Sequence, residues 1–235
     1  MNLPFFYKED LAAGLQSVIL DEDTSKHMVQ VLRMKAGEQL QLTDGKGNLC
    51  IATITEEHKK RTAVQIGSHR YTQPPAQKLI IAISLLKNTT RFEWFLEKAT
   101  EIGVTAIVPL LCTRTEKEHF RYDRMKNIIV SAMLQSEQVW MPELHEPVRF
   151  DNLIIRQFGN TNKLIAHCED DHKQSIHNCR IAELSNCLIL IGPTGDFTKE
   201  EIALAKQQGF QAVTLGNTRL RTETAGIVAA ALLKV

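Results

Sequence analysis

Apolar and polar residues alternate through "EQLQLTDGKGNLCIATIT", break at a glycine-containing turn and resume, which predicts a β-hairpin with a three-to-five-residue loop. "TAVQIGSHRY" predicts a further strand of the same period. Between residue 20 and this hairpin the period changes. In "TSKHMVQVLRMKAG" Met28, Val31 and Leu32 fall at i, i+3 and i+4, Ser25 or Thr24 stands where a cap belongs, and Gly37 follows the end, so a helix is expected. Residues 1–72 therefore read as a small barrel with one helix, and "EEHKKR" as a solvated turn. "YTQPPAQK" breaks both periods and marks a linker at 72–77.

Past the linker, in residues 73–235, continuous apolar runs replace alternation. "KLIIAISLL", "AIVPLLC", "KLIAHC", "CLILIGP" and "AVTLG" read as strands buried on both faces. Helical segments, "TRFEWFLEKATEIG" and "YDRMKNIIVSAMLQSEQ" among them, separate several of them, and Phe92, Trp94 and Phe95 read as core or interface. The alternation implies an α/β domain, a mostly parallel sheet with helices on both faces and ligands at the carboxyl ends of its strands.

Apolar residues make up 43% of the 235 and charged residues 23%, both globular values. No stretch approaches the ~18 apolar residues of a membrane span, and the N-terminus lacks the pattern of a secretion signal, so a cytoplasmic protein is expected. Cys50, Cys112, Cys168, Cys179 and Cys187 are an odd set without C-x-x-C spacing and read as reduced, mostly core thiols. Net charge is +1, and residues 1–72 hold nine basic against nine acidic side chains, so bulk charge does not announce a nucleic acid.

Local chemistry concentrates at two places. "CLILIGPTGDFTKEE" is a strand, a turn with Gly192 and Gly195, and a helix start where Thr198 and Glu201 fit a capping box. Glycines there let backbone N–H groups approach a ligand, although taken alone an ordinary tight strand-to-helix turn is the favoured reading. The spacing is neither G-x-G-x-x-G nor a P-loop, which leaves nucleotide-dependent chemistry unsupported. About twenty residues later "LGNTRLRTETAGIVAAALL" runs a cluster of arginines, threonines and a glutamate into an apolar helix. Glu223 suits the first turn of that helix and Thr222 its N-cap. "HCEDDHKQSIHNC" gathers His167, Cys168, His172, His177 and Cys179, but matches no familiar zinc spacing, so no metal is expected.

Taken together, "LIGPTGDFTKEE" and "LGNTRLRTETA" resemble the G-P-E-G-G-[FL]-[ST]…L-G-x-R-I-L-R-x-E-T-A signature of the RsmE family, methyltransferases acting on uracil N3 of 16S ribosomal RNA. "HMVQVLRMKAGEQLQLTDGKG" resembles that family's H-x-x-x-V-L-R segment, and "LLKNTTRFEWFLEKATEIGVTAIVP" its K-x-x-R-x-E…K-x-T-E-L-G-V segment. The resemblance implies an N-terminal PUA-like barrel and a C-terminal SPOUT domain with a deep trefoil knot, working as a homodimer on 16S rRNA or the 30S subunit. It also implies S-adenosylmethionine held by three loops, which carry across to Ala166, His167 and Cys168; to Ile191, Gly192, Pro193 and Gly195; and to Leu215, Gly216, Asn217, Leu220, Arg221 and Thr222. Thr194, Asp196 and Thr218 depart from the signature, with Arg219 displaced by one, and "AMLQSEQ" lacks the Glu and Arg of the family's A-x-E-Q-S-x-R.

Within that frame Arg221 is expected to stabilise charge developing on the uracil oxygens, and Glu223 to orient it or to take the N3 proton. His27, Arg33, Lys87, Arg91 and Lys98 are candidates for holding RNA; Arg33 could equally be a cation of a helix's last turn. A knot-fold RNA-binding protein without turnover is the alternative, motivated by the departures.

Overall fold

The computed structural model describes residues 3–11, 14–169, 172–179 and 186–234. It divides into two units, Met1–Pro74 with Met133–Met141, and Pro75–Ala132 with Pro142–Val235.

In the first unit, strands β1 (Phe5–Tyr7), β2 (Ser17–Ile19), β3 (Gln39–Thr43), β4 (Asn48–Glu56) and β5 (Ala63–Tyr71) form one sheet in the order β1-β3-β4-β5-β2. The hairpin is β3 and β4, paired antiparallel around residues 44–47. Asp44, buried in that turn, accepts from the backbone N–H of Lys46 at 2.7 Å and of Asn48 at 3.2 Å. Alternation does the packing: Leu40 and Leu42 from β3 and Cys50, Ala52 and Ile54 from β4 join one apolar core.

The helix departs from expectation. Helix α1 (Glu22–Lys26) is capped by Asp21, whose carboxylate accepts from the Thr24 N–H, and not by Ser25 or Thr24. It then widens into a π-helical turn (His27–Val31), where the Leu32 N–H reaches back five residues to the His27 carbonyl. The extra residue per turn rotates Val31 and Leu32 away from Met28. Met28 is wholly buried, whereas Val31 and Leu32 are exposed.

A second contribution to this unit comes from far along the chain. Met133–Met141 docks on the hairpin turn, with Gly47 N–H donating to Val139 and Met141 N–H to Gly45. The Trp140 indole N–H is shared between the carbonyls of Thr72 and Gln73 at 3.0 and 3.1 Å. Gly47, at φ 94°, is required here because a Cβ would stand 2.7 Å from the indole ring.

The second unit is a parallel sheet, as the apolar runs predict. Its elements are β6 (Leu79–Ser84), α2 (Thr89–Ile102), β7 (Ala106–Leu111), α3 (Tyr122–Gln135, ending in the first unit), β8 (Glu143–Leu144), β9 (Val148–Arg149), α4 (Phe150–Ile154), β10 (Thr161–Ala166), β11 (Gln174–Ser175), β12 (Asn186–Ile191), α5 (Lys199–Gln207), β13 (Gln211–Thr214) and α6 (Thr222–Lys234). The order is β11-β13-β10-β12-β6-β7-β8, with β9 on β7, and every pair is parallel. Neighbours Ala82 and Ile83 show the two faces. Ala82 joins the core beneath α4 and α5 with Phe150, Phe197 and Ile202, while Ile83 lies under α6 at Gly226. Phe92 and Phe95 of α2 are buried and Trp94 is exposed. No helix among the described residues is long and apolar enough to cross a membrane.

All five cysteines are free, with Cys50, Cys112 and Cys187 buried. Burial pushes these thiols up, Cys187 to about 12.

Candidate functional site

The sheet brings three strand ends level. In the pairing register Ala166 of β10 lies opposite Ile191 of β12 and Val213 of β13, so the chain leaves all three strands at one edge. The loops that follow enclose a cavity of about 760 Å³, in the range of small-molecule sites. Its wall contains residues 166–168, 191–194, 196 and 213–223, with Arg91 from α2 and Lys173. Every residue expected to hold a cofactor lies on this wall except Gly195, and so do Arg221 and Glu223.

Hydrogen bonds hold the middle loop in shape from below and from the side. Arg114 donates to the carbonyls of Gly195 at 2.5 Å and Phe197 at 3.4 Å. Thr198 and Glu201 form the expected capping box at the start of α5, and the free capacity of Glu201 accepts from the Thr113 N–H and hydroxyl. The glycines serve packing as well as approach. A Cβ on Gly192 would meet the Phe197 ring at 3.0 Å, and one on Gly195 would meet Arg114 at 3.3 Å.

Asp196 ties the middle loop to its neighbour. One carboxylate oxygen accepts from the Cys168 N–H at 2.7 Å, the other from the Phe197 N–H at 2.8 Å. Its φ of 65° is left-handed, a conformation glycine adopts freely and aspartate at some cost.

His167 is the unusual group on the wall. It is 7% exposed, and among the described residues neither ring nitrogen has a hydrogen-bond partner. Burial, followed by the nearby Lys173 cation, lowers its pKa below the ordinary histidine value. The Lys173 ammonium donates to the carbonyls of His167 and Glu169.

On the third loop, Arg221 stands at the start of α6. Its carbonyl accepts the helix's first bond, from Ala225 N–H at 2.7 Å, so Thr222 is the first helical residue and not the cap. Glu223 is buried, and its carboxylate is 3.7 Å from the Arg91 guanidinium. Arg91, expected only as an RNA contact, thus belongs to the cavity. Lys87 faces Glu116 at 2.8 Å, and Lys98 faces Glu97 and Glu101. His27 and Arg33 belong to the other unit, both exposed, Arg33 at φ 56°. No group of three or more metal-ligating side chains occurs among the described residues; the His177 side chain lies outside them.

The chain matches the RNA methyltransferase domain over residues 72–234 and the RNA methyltransferase PUA domain over residues 20–66. It is 27% identical to the ribosomal RNA small subunit methyltransferase E of Aquifex aeolicus across 97% of both chains. A probable rRNA-methyltransferase from Porphyromonas gingivalis superposes with a TM-score of 0.90 at 35% identity, covering 97% of this chain and 95% of that one. The ribosomal RNA small subunit methyltransferase E of Neisseria gonorrhoeae, solved bound to S-adenosyl methionine, does so with 0.86 at 29%, covering 98% and 96%. The chain belongs to the ribosomal RNA small subunit methyltransferase E family. Three of its departures from the family signature, Thr194, Asp196 and Thr218, lie on the cavity wall, and Asp196 combines a left-handed backbone with a carboxylate that clasps the neighbouring loop. Arg114 and Lys173 escaped sequence reasoning: an arginine after a strand carries no periodic signal, and Lys173 sits in a polar stretch.

Proposed function

We propose that this chain is an S-adenosylmethionine-dependent methyltransferase acting on uracil N3 of a uridine in 16S ribosomal RNA. The observation that carries the reading is the three-loop cavity at the level ends of β10, β12 and β13, in a chain of this family. The residues present fit the cofactor: the cavity has the right size, and His167 offers buried ring nitrogens that await a partner. Residues 166–168, 191–195 and 215–222 would hold the molecule. When bound, it supplies a methyl group on a positively charged sulfur.

The chain's own residues then have two tasks. Positioning the acceptor is the first, and it is worth up to ~7–11 kcal/mol of barrier when geometry is fixed in advance. Handling the N3 proton is the second, because uracil is a poor nucleophile until negative charge on its ring is stabilised. Arg221, exposed at the rim, is suited to donate to the uracil oxygens with its planar fork. Glu223, buried beside Arg91, is suited to steady the cations of this rim. Exposed Arg33 and His27 are the better candidates for RNA, since carboxylates already face Lys87, Lys98 and Arg91.

The same reading carries a PUA-like barrel at the N-terminus, a SPOUT domain whose cofactor loops form a trefoil knot, a homodimer that completes the site, action on 16S rRNA or the 30S subunit, and a cytoplasmic location. Arg221→Ala tests the mechanism. Turnover should be lost while S-adenosylmethionine still raises the melting temperature; full activity in this variant refutes the assignment.

A further inference from the structure

We propose that Arg114 is a positioning residue for methyl transfer: without touching the ligand, its guanidinium fixes the middle loop in the shape that binds the methyl donor. The inference rests on the S-adenosylmethionine reading above and extends it to residues 112–115, which follow β7 and lie outside the three loops.

Arg114 does not line the cavity, and neither does Gly195, although Thr194 and Asp196 on either side of that glycine do. The middle loop thus has an inner face toward the ligand and an outer face, and Arg114 lies along the outer one. A Cβ on Gly195 would stand 3.3 Å from the Arg114 Cδ and 3.8 Å from its Cβ, so the stem of the side chain passes over the glycine. The guanidinium beyond it donates to the carbonyls of Gly195 at 2.5 Å and Phe197 at 3.4 Å. Hydrogen bonds from an ionised donor are among the stronger ones. Two of them, on carbonyls two residues apart, fix the chain through Asp196, whose own carboxylate closes on Cys168 of the first loop.

A clamp of this kind works only if its base is fixed, and the residues on either side of Arg114 are anchored in different elements. Thr113 donates through its N–H at 2.8 Å and its hydroxyl at 3.1 Å to one carboxylate oxygen of buried Glu201 on α5, whose other oxygen accepts from the Thr198 N–H. The Thr115 hydroxyl shares a hydrogen bond at 3.0 Å with that of buried Ser84, the last residue of β6, and accepts from the Cys112 N–H at 2.8 Å. The backbone at Arg114 is therefore held between the sheet and α5, and only its side chain remains to be ordered. The rival is a surface hydrogen bond that stabilises the fold as a whole. It would lower the melting temperature of the ligand-free chain, whereas a positioning residue leaves that temperature in place and governs affinity for the donor.

The test is calorimetric titration of S-adenosylmethionine into the full chain, beside steady-state methylation of 30S subunits. Arg114→Met keeps a stem over Gly195 and removes every donor. It should weaken S-adenosylmethionine about tenfold and raise its KM to match. The kcat at saturating donor and the KM for subunits should stay within about twofold of the parent, and the melting temperature of the ligand-free chain should be unmoved. Arg114→Lys keeps the charge and a donating group for the same carbonyls, and should recover part of the lost affinity. Unchanged affinity in Arg114→Met, a Lys variant no better than Met, or a loss that falls on kcat or on the KM for subunits would each overturn the inference while the methyltransferase reading survives. A Met variant that melts well below the parent or does not fold assigns Arg114 to the fold and overturns it as well. If the unsubstituted chain does not bind S-adenosylmethionine, the methyltransferase reading itself fails, and this inference with it.

Discussion

Asp196 stands where the family signature has glycine, and its replacement sets two physical effects against each other. Its carboxylate accepts two backbone N–H groups at 2.7 and 2.8 Å, one of them Cys168 on the neighbouring loop. Hydrogen bonds to a charged group contribute roughly 1.5–3 kcal/mol each, and the half-exposed position reduces that to about 1 kcal/mol each. Against this stands the left-handed backbone at φ 65°, which costs a residue with a Cβ about 1–2 kcal/mol. Asp196→Ala loses both bonds and keeps the strain, so it should destabilise the loop by about 2 kcal/mol. Asp196→Gly loses the same bonds but relieves the strain, leaving a net loss of about 1 kcal/mol or less. Asp196→Asn tolerates the conformation but has a single acceptor oxygen, so it keeps only one of the two bonds, in neutral form, and should fall between the parent and Ala. The assay is hydrogen exchange at the Cys168 amide. Protection should drop in all three variants and furthest in Ala, which should lie about tenfold or more below the parent at 1.4 kcal/mol per decade. The reasoning is refuted if Ala exchanges no faster than the parent, or more slowly than Gly.

Three other outcomes follow from the packing and titration. Gly226→Ala would set a Cβ 2.6 Å from the Phe95 ring and 2.9 Å from Ile83, so overpacking of about 1–3 kcal/mol should exceed the ~1 kcal/mol gain in helix propensity; urea denaturation should show net destabilisation. Trp140→Ala removes the indole that bridges Thr72 and Gln73 and covers Gly47, which should cost roughly 2–4 kcal/mol and make residues 45–47 and 72–73 the first cut by limited proteolysis. His167 has a folded pKa below its unfolded one, so the unfolded chain gains the proton first on acidification. Its contribution to stability is complete above the ordinary value of 6.5 and declines as pH falls from there toward the lowered folded value; melting temperatures of the parent should fall in that window more steeply than those of His167→Gln.

The parallel sheet and the hairpin were legible because each rests on a local signal. Leu40, Leu42, Cys50, Ala52 and Ile54 alternate in the sequence and all point into one core, and continuous runs such as that of β12 are buried on both faces. The capping box at Thr198 and Glu201 was legible for the same reason, since three residues of sequence contain it. What escaped is non-local or irregular. A π-helical turn adds one residue to the repeat and carries Val31 and Leu32 into solvent, so a 3.6-residue pattern misassigns them. Trp140 packs on residues some seventy positions away, and no period reports that distance. At the site the motif located the loops, yet the reason for Gly192 lies in the Phe197 ring five residues on, and the partner of Glu223 is Arg91 on another helix.

The central claim is that the cavity at the ends of β10, β12 and β13 serves methyl transfer to a uracil. The most direct measurement incubates the purified chain with isotopically methyl-labelled S-adenosylmethionine and 30S subunits from a strain lacking the modification, then digests the 16S rRNA to nucleosides for mass spectrometry. The account predicts label in 3-methyluridine, and none with Arg221→Ala. Label in a different nucleoside, or in none at all, would contradict it.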